Sequence, residues 1–368
     1  MYTEQGVVRI ARRENNNKRK YLVVNRLQGK HVPVKPGEAL SMFGALADIL
    51  KGKYEGENLL VVGFAETATA IGAAVAAELG ADYIQTTREL VEGASYLYFS
   101  EEHSHATEQK LVRDELDRAI HAIDRIIFIE DEVTTGKTIL NIVNILREQY
   151  SERIKYSVAS ILNGMDETAL DTYRKYPIEL FWLIKTDHAA YTEIAEAYRG
   201  DGSYIVCKNQ QGADMIPTAH IKIKRHMDAR RMVRAEAYIK YCETLYQDII
   251  RQIDLDSVQK LLVLGTEEYM YPALYVACRL EVQGRDVRFH ATTRSPIAVS
   301  TEDDYPLHTR YELCSLYDSG RTTYVYDLQK YDTVVIITDA GDGMTEGIRS
   351  LVYALRLCGN ERVILVST

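Results

Sequence analysis

The sequence predicts an α/β protein built from two related, doubly wound parallel-sheet domains. Three observations carry this. Short apolar runs alternate with segments whose apolar residues recur at helical spacing, the pattern of βαβ units. Three segments of the first half recur in the second, in the same order. The run Ile126-Ile127-Phe128-Ile129 passes directly into Glu130-Asp131-Glu132, a Thr/Gly-rich loop and a helical pattern, the way a buried parallel strand delivers a binding loop to the edge of a sheet.

The elements follow in order. Residues 1–56 form an irregular section with a short strand at Tyr21–Asn25, turn signals at Pro33 and Pro36-Gly37, and an amphipathic helix over 39–50. A strand over 59–62 leads through Gly63-Phe64-Ala65-Glu66-Thr67 into a small-residue helix over 68–79. The strand 82–85 leads to Thr86-Thr87-Arg88-Glu89. The strand 126–129 is followed by a helix with Ile139, Ile142, Val143 and Leu146 on one face, ending near Glu148. Strands over 156–161 and 180–184 flank another helix. Residues 226–250 read as one long helix with Met232, Val233, Ala237, Tyr241 and Leu245 on a common face, suited to linking two domains. The expected division is therefore 1–225 for the first α/β domain with its N-terminal section, 226–256 for the linking helix, and 257–368 for the repeat.

In the repeat, Leu261–Glu267 parallels Leu60–Glu66, Thr292-Thr293-Arg294 parallels Thr86-Thr87-Arg88, and Val334–Asp339 parallels Ile126–Asp131. The offset between copies grows slowly and in one direction, as short loop insertions produce. The second copy has changed its chemistry: Thr338 replaces the first acid, and Asp342 and Glu346 stand in a loop where they would repel a phosphate.

The 368 residues are 46% hydrophobic and 26% charged, ordinary values for a soluble chain. A net charge of −9 argues against a general nucleic-acid binder. Cys207, Cys242, Cys278, Cys314 and Cys358 form no C-x-x-C pair, and free thiols in a reducing cytoplasm are the simplest expectation. No signal-peptide core and no membrane-length apolar run is present.

The chemistry concentrates after the strand 126–129. Loop amides and a helix N terminus can hold a phosphate, and carboxylates can accept hydrogen bonds from sugar hydroxyls. A nucleotide P-loop is a poor fit to Gly136-Lys137-Thr138, because Asp131 stands where that motif needs its first glycine.

These residues resemble the phosphoribosyl pyrophosphate (PRPP) motif of the type I phosphoribosyltransferases, orotate phosphoribosyltransferase-like enzymes among them: a hydrophobic strand, two acids, then a T-T-G-x-T-like loop. Thr293-Arg294-Ser295-Pro296 resembles the signature of the TRSP domain, which follows phosphoribosyltransferase-like domains in proteins encoded within tellurite-resistance gene clusters. Together the two resemblances cover nearly the whole chain. They imply a type I phosphoribosyltransferase fold followed by a degenerate copy, and transfer of phosphoribose from PRPP to a nucleobase-like nitrogen in a stress-linked, nucleotide-like pathway. By the same resemblance, Glu130 and Asp131 hold the ribose hydroxyls and a Mg²⁺ shell, and Thr134, Thr135, Gly136, Lys137 and Thr138 hold the 5-phosphate. Ala65, Glu66 and Thr67 receive the pyrophosphate together with Arg88. The polar stretch 100–110 corresponds to the family's hood, where His103 and His105 are candidate proton carriers or base contacts. The Lys and His-Gly of orotate enzymes are missing from it. Acceptor candidates are Asn25, Gln28, Lys30 and His31 from the N-terminal section, and Lys185, Thr186 and Asp187 after the last strand. The partners implied are PRPP and an unidentified base, with a homodimer allowed. A PRPP-binding regulator without turnover and a P-loop phosphotransferase are the alternative readings.

Overall fold

The computed structural model describes residues 1–14, 19–99, 109–150, 153–210, 212, 215–255, 258–341 and 343–368. It divides into two compact units. One comprises residues 1–4, 40–187 and 227–241, the other residues 5–39, 188–226 and 242–368.

The first unit is built on six strands, in spatial order Val233–Arg234, Asp82–Gln85, Leu59–Gly63, Arg125–Val133, Lys155–Asn163 and Ile178–Lys185. All neighbours are parallel except the first pair, where Val233 lies antiparallel to Tyr83. Numbered along the chain, the five parallel strands run 2-1-3-4-5. The order reverses between Leu59–Gly63 and Arg125–Val133, and the crevice at the carboxyl end of such a reversal is where sheets of this kind take ligands. A hairpin, Tyr96–Phe99 with Gln109–Val112, interrupts the passage from the second strand to the third.

Packing brings the loops close. Gly63 and Gly72 meet where the helix Thr69–Leu79 crosses the first strand, and a β-carbon on Gly72 would lie 2.8 Å from the Gly63 Cα. Ala68 and Ala76, one turn either side of Gly72 on the same face, are also small and leave room for that approach. The start of the third strand is anchored by buried Arg125, whose guanidinium bonds Glu57 at 2.6 Å, Glu179 at 3.0 Å and the Ser157 hydroxyl at 2.7 Å, and lies 3.9 Å over the Tyr54 ring.

Two sequence expectations change. The third strand does not stop at Ile129 but runs through the acids to Val133. Its pairing with the first strand ends at Ile129, whereas pairing with the fourth continues to Asn163, so the ladder on one side alone carries the extension. The long helix expected from residue 226 begins only at Ala235, because Val233-Arg234 extends and joins the edge of the first sheet. Met232 and Val233 therefore do not share its apolar face.

The second unit has five parallel strands in the order Ala219–Lys222, Val363–Ser367, Thr333–Thr338, Lys260–Gly265 and Asp286–Ala291. The four strands of the repeat again run 2-1-3-4, with a hairpin (Thr309–Cys314 and Thr322–Tyr326) between the second and third. The duplication read in the sequence is thus a duplication of topology. Ala219–Lys222, which precedes the repeat, supplies the outermost strand. The core packs Leu262, Leu264, Val334, Ile336 and Leu365 with Ile348, Leu351, Val352 and Leu355 of the helix Glu346–Leu357. Among the described residues, no helix is long and apolar enough to cross a membrane.

Candidate active site

Two loops of the first unit face each other across the point where strand order reverses. One, Phe64–Ala68, follows the first strand; the other, Thr134–Gly136, follows the third. The Thr67 hydroxyl donates to Asp131 Oδ1 at 2.8 Å, which joins the two sides. Side chains alternate along an extended strand, so consecutive acids lean to opposite faces. Asp131 turns to Thr67, while Glu130 lies on the side of Tyr173, whose phenol is raised by burial and further by the Glu130 charge.

Burial pushes the Asp131 carboxyl up to about 6; the Thr67 hydroxyl bond pulls it down and the neighbouring Glu132 charge pushes it up. An acid raised in the folded state favours folding most when protonated, so its contribution to stability falls as pH climbs from about 4 to about 6. At full burial the difference would be worth about 3 kcal/mol. The open side of the half-buried carboxylate screens it to about 1–2 kcal/mol. Asp131→Asn keeps the acceptor for Thr67 and removes the charge. The variant is expected to resist urea better than wild type at pH 8, with the gap closing near pH 4. A lower midpoint at pH 8 would contradict this.

The phosphate-type loop is held from below. Gly136 is buried in the left-handed conformation at φ +69° and stands at the N-cap of the helix Lys137–Gln149, where it offers no side-chain acceptor and the Thr135 hydroxyl accepts from the Lys137 N–H at 3.4 Å. Its carbonyl accepts from the buried Tyr173 hydroxyl at 2.6 Å. Thr134, Thr135 and Thr138 are half-buried and Lys137 is exposed. The helix Thr69–Leu79 behind the facing loop also begins without a side-chain cap. Two helix N termini whose N-cap residues supply no side-chain acceptor therefore open beside the carboxylates, and an N terminus attracts anions through its amides and its dipole.

The Phe64–Ala68 loop is fixed by residues that pattern reading did not single out. The Ala65 N–H donates to the Thr86 hydroxyl at 2.8 Å, and the Gln109 side-chain amide donates to the Ala65 carbonyl at 2.5 Å. The Ala65–Glu66 peptide is cis, and Glu66 is buried. Arg88 follows Thr86 at the carboxyl edge of the second strand and is half-buried. The Thr87 hydroxyl shapes its turn by accepting from the Glu89 N–H at 2.9 Å. Gln109 and Lys110, which the sequence places at the end of a polar hood, are buried residues of the strand Gln109–Val112. His103 and His105 lie outside the described residues.

The acceptor candidates fall apart as a group. Asn25, Gln28, Lys30 and His31 are all buried in the second unit. The Lys30 ammonium there donates to the carbonyls of Glu267 at 2.7 Å and Thr292 at 2.9 Å, so it is a structural cation. Lys185 donates to the Met165 carbonyl at 2.7 Å and steadies the residue that packs under Gly136. Thr186 is buried, its N–H donating to the Asn163 carbonyl, and the Asp187 N–H donates to Glu4 at 3.4 Å.

In the second unit the corresponding edge is filled from within. Arg294, the counterpart of Arg88, pairs with Glu267 at 2.9 Å and Glu268 at 3.1 Å, and Arg321 reaches Glu267 at 3.0 Å. The Ser315 hydroxyl donates to the other Glu267 oxygen at 2.5 Å. The helix Glu346–Leu357 is capped by Thr345, whose hydroxyl accepts from the Ile348 N–H. Carboxylates and a side-chain cap thus occupy the donors that a phosphate would need.

The model of a phosphoribosyl transferase family matches residues 7–191. The model of the TRSP domain, which lies C-terminal to that domain, matches residues 231–355. No curated protein matches the chain. Similar solved structures include adenine phosphoribosyltransferase from Rhodothermus marinus DSM 4252, at 15% identity and TM-score 0.37 over 50% of this chain and 96% of that one. The enzyme from Thermoanaerobacter pseudethanolicus ATCC 33223 gives 17% and 0.36 over 50% and 97%. That of Giardia lamblia, complexed with 9-deazaadenine, gives 16% and 0.33 over 51% and 100%.

Proposed function

The chain belongs to the phosphoribosyl transferase family and is a phosphoribosyltransferase, and from that premise we propose that its first unit transfers phosphoribose from PRPP to a nucleobase-like nitrogen, releasing pyrophosphate. The observation that carries the proposal is the meeting of Thr67 and Asp131 across the strand reversal, with a helix N terminus on either side whose N-cap residue supplies no side-chain acceptor. In this reading the Thr134–Thr138 loop holds the 5-phosphate, and Glu130 and Asp131 accept from the ribose hydroxyls. Ala65, Glu66, Thr67 and Arg88 receive the pyrophosphate.

The bond from C1 of the ribose to the pyrophosphate oxygen breaks with its electron pair on oxygen. A C1–N bond forms, and the nitrogen gives up its proton. An oxocarbenium-like state demands a ribose held in place and a leaving group whose charge is met by preorganised donors. The N-terminal amides of the helix Thr69–Leu79 and the Arg88 guanidinium suit the second task, and a guanidinium does so bidentately. His103 and His105 stay as proposed proton carriers from outside the described residues. Glu130 and Asp131 offer carboxylate oxygens, the donor type that a hard cation such as Mg²⁺ takes while keeping several of its waters. When bound, Mg²⁺ would neutralise part of the pyrophosphate charge. The acceptor reading leaves a base as the nucleophile, and the TRSP domain that follows supports a place in a stress-linked pathway of tellurite-resistance clusters.

Isothermal titration with PRPP and Mg²⁺ tests the site. Wild type is expected to bind, and Thr135→Ala and Asp131→Asn to lose at least about tenfold in affinity, the cost of one charge-assisted hydrogen bond. Unchanged affinity in both variants would remove these residues from the site. Pyrophosphate release against a library of bases separates turnover from a PRPP-binding regulator, and ATP binding tighter than PRPP would favour a phosphotransferase.

A further inference from the structure

We infer that Gln109 and Thr86 form a clamp on the Ala65 peptide that sets the shape of the pyrophosphate loop, which makes both of them positioning residues for phosphoribosyl transfer. The inference rests on the donor-site reading above.

Three hydrogen bonds close a ring. The Ala65 N–H donates to Thr86 Oγ1 at 2.8 Å, the Thr86 hydroxyl donates to Gln109 Oε1 at 2.7 Å, and Gln109 Nε2 donates to the Ala65 carbonyl at 2.5 Å. Thr86 is 0% exposed and Gln109 2% exposed, so no solvent competes for these groups. The direction of every bond is forced. A backbone N–H can only donate, so the Thr86 oxygen accepts there and turns its own hydrogen to Gln109 Oε1. That places the Gln109 NH₂ on the Ala65 carbonyl, which can only accept. Both backbone groups of Ala65 are therefore drawn inward. The next residues, Glu66 and Thr67, leave the sheet from a fixed peptide, and Thr67 reaches Asp131.

The second unit repeats the grip with different atoms. Aligned on the strand-end glycines rather than on the two glutamates, its equivalent residue is Glu267, two positions after Gly265 as Ala65 is two after Gly63, and the Thr86 and Thr292 N–H groups donate to those glycine carbonyls alike. The Glu267 N–H donates to the Thr292 hydroxyl at 2.9 Å, and the Lys30 ammonium donates to the Glu267 carbonyl at 2.7 Å. A glutamine from the hairpin in one unit and a lysine from the N-terminal section in the other converge on the same carbonyl. Two sources for one bond mark that carbonyl as a point the loop needs held.

Gln109→Glu preserves shape but replaces the NH₂ donor with an acceptor facing the Ala65 carbonyl. Calorimetric titration uses the full chain with Mg²⁺ and inorganic pyrophosphate, and separately with ribose 5-phosphate. At pH 8 the variant should bind pyrophosphate at least tenfold more weakly than wild type and keep ribose 5-phosphate within twofold. Towards pH 5 the introduced carboxyl takes up a proton and regains an O–H donor, so the pyrophosphate deficit relative to wild type should shrink. Thr86→Val, of the same shape, should lose pyrophosphate at every pH, and Thr86→Ser should retain it. Pyrophosphate affinity equal to wild type in both Gln109→Glu and Thr86→Val, or an equal loss of ribose 5-phosphate, would overturn the clamp alone. A wild-type chain that binds no pyrophosphate would overturn the donor-site reading and the clamp with it.

Discussion

Gly136→Ala is expected to weaken the 5-phosphate site severely and to cost the first unit about 3 kcal/mol or more of stability. Two effects add. The backbone at φ +69° is left-handed, which costs a residue with a β-carbon about 1 kcal/mol. That β-carbon would then stand 2.4 Å from the Tyr173 hydroxyl oxygen and 2.5 Å from the Met165 methyl, both on buried side chains. Overpacking of this kind typically costs a further ~1–3 kcal/mol. Because the same carbonyl accepts the Tyr173 hydroxyl, any shift that relieves the clash breaks the bond and reorients the first amides of the helix Lys137–Gln149. Ribose 5-phosphate affinity should fall about 100-fold, equivalent to about 2.7 kcal/mol. Tyr173→Phe is the control: it removes only the hydroxyl and should cost about 1 kcal/mol. Gly136→Ala with wild-type affinity would show that this loop does not hold the phosphate.

Arg294→Met should produce the largest stability loss in the second unit, about 3–5 kcal/mol, because it removes the guanidinium that pairs with two buried carboxylates. Glu267 and Glu268 have fully buried side chains, and Arg294 is the group that bridges both. Arg321 remains on Glu267, so Glu268 bears most of the penalty. Arg294→Lys should recover only part of the loss, since one ammonium cannot reproduce the fork that reaches two carboxylates. Adding Glu268→Gln to Arg294→Met should return part of the stability by removing a buried charge that has lost its guanidinium. Urea unfolding followed by fluorescence reads all three, and equal midpoints for wild type and Arg294→Met would show that the pairs contribute nothing.

The acids, the loop and the helix after them were legible because strand, turn and helix each leave a local signature, and they lie within a dozen consecutive residues. The same holds for the repeat, whose Thr-Thr-Arg segments proved to occupy matching strand ends. Gln109 was not legible. It stands in a polar stretch of the sequence, and only strand pairing with Tyr96–Phe99 and contact with a loop 44 residues away show it as buried. A signal was present all the same: the matching Thr86 and Thr292 marked the position that such a partner serves. Lys30 misled for the converse reason. A lysine in a loop reads as solvated or ligand-binding, yet its ammonium is satisfied by two carbonyls just past the ends of distant strands.

The sequence by itself determined the class of fold, its duplication and the chemistry of the donor loop, since each depends on residue types and on spacings of two to four along the chain. Only the tertiary structure decided which strand edge carries the acids past its neighbour, which side of that strand each carboxylate takes, and which distant side chains hold the two loops. Those outcomes follow from sheet order and ladder length, and pairing partners far apart in the chain leave no periodic trace in either segment.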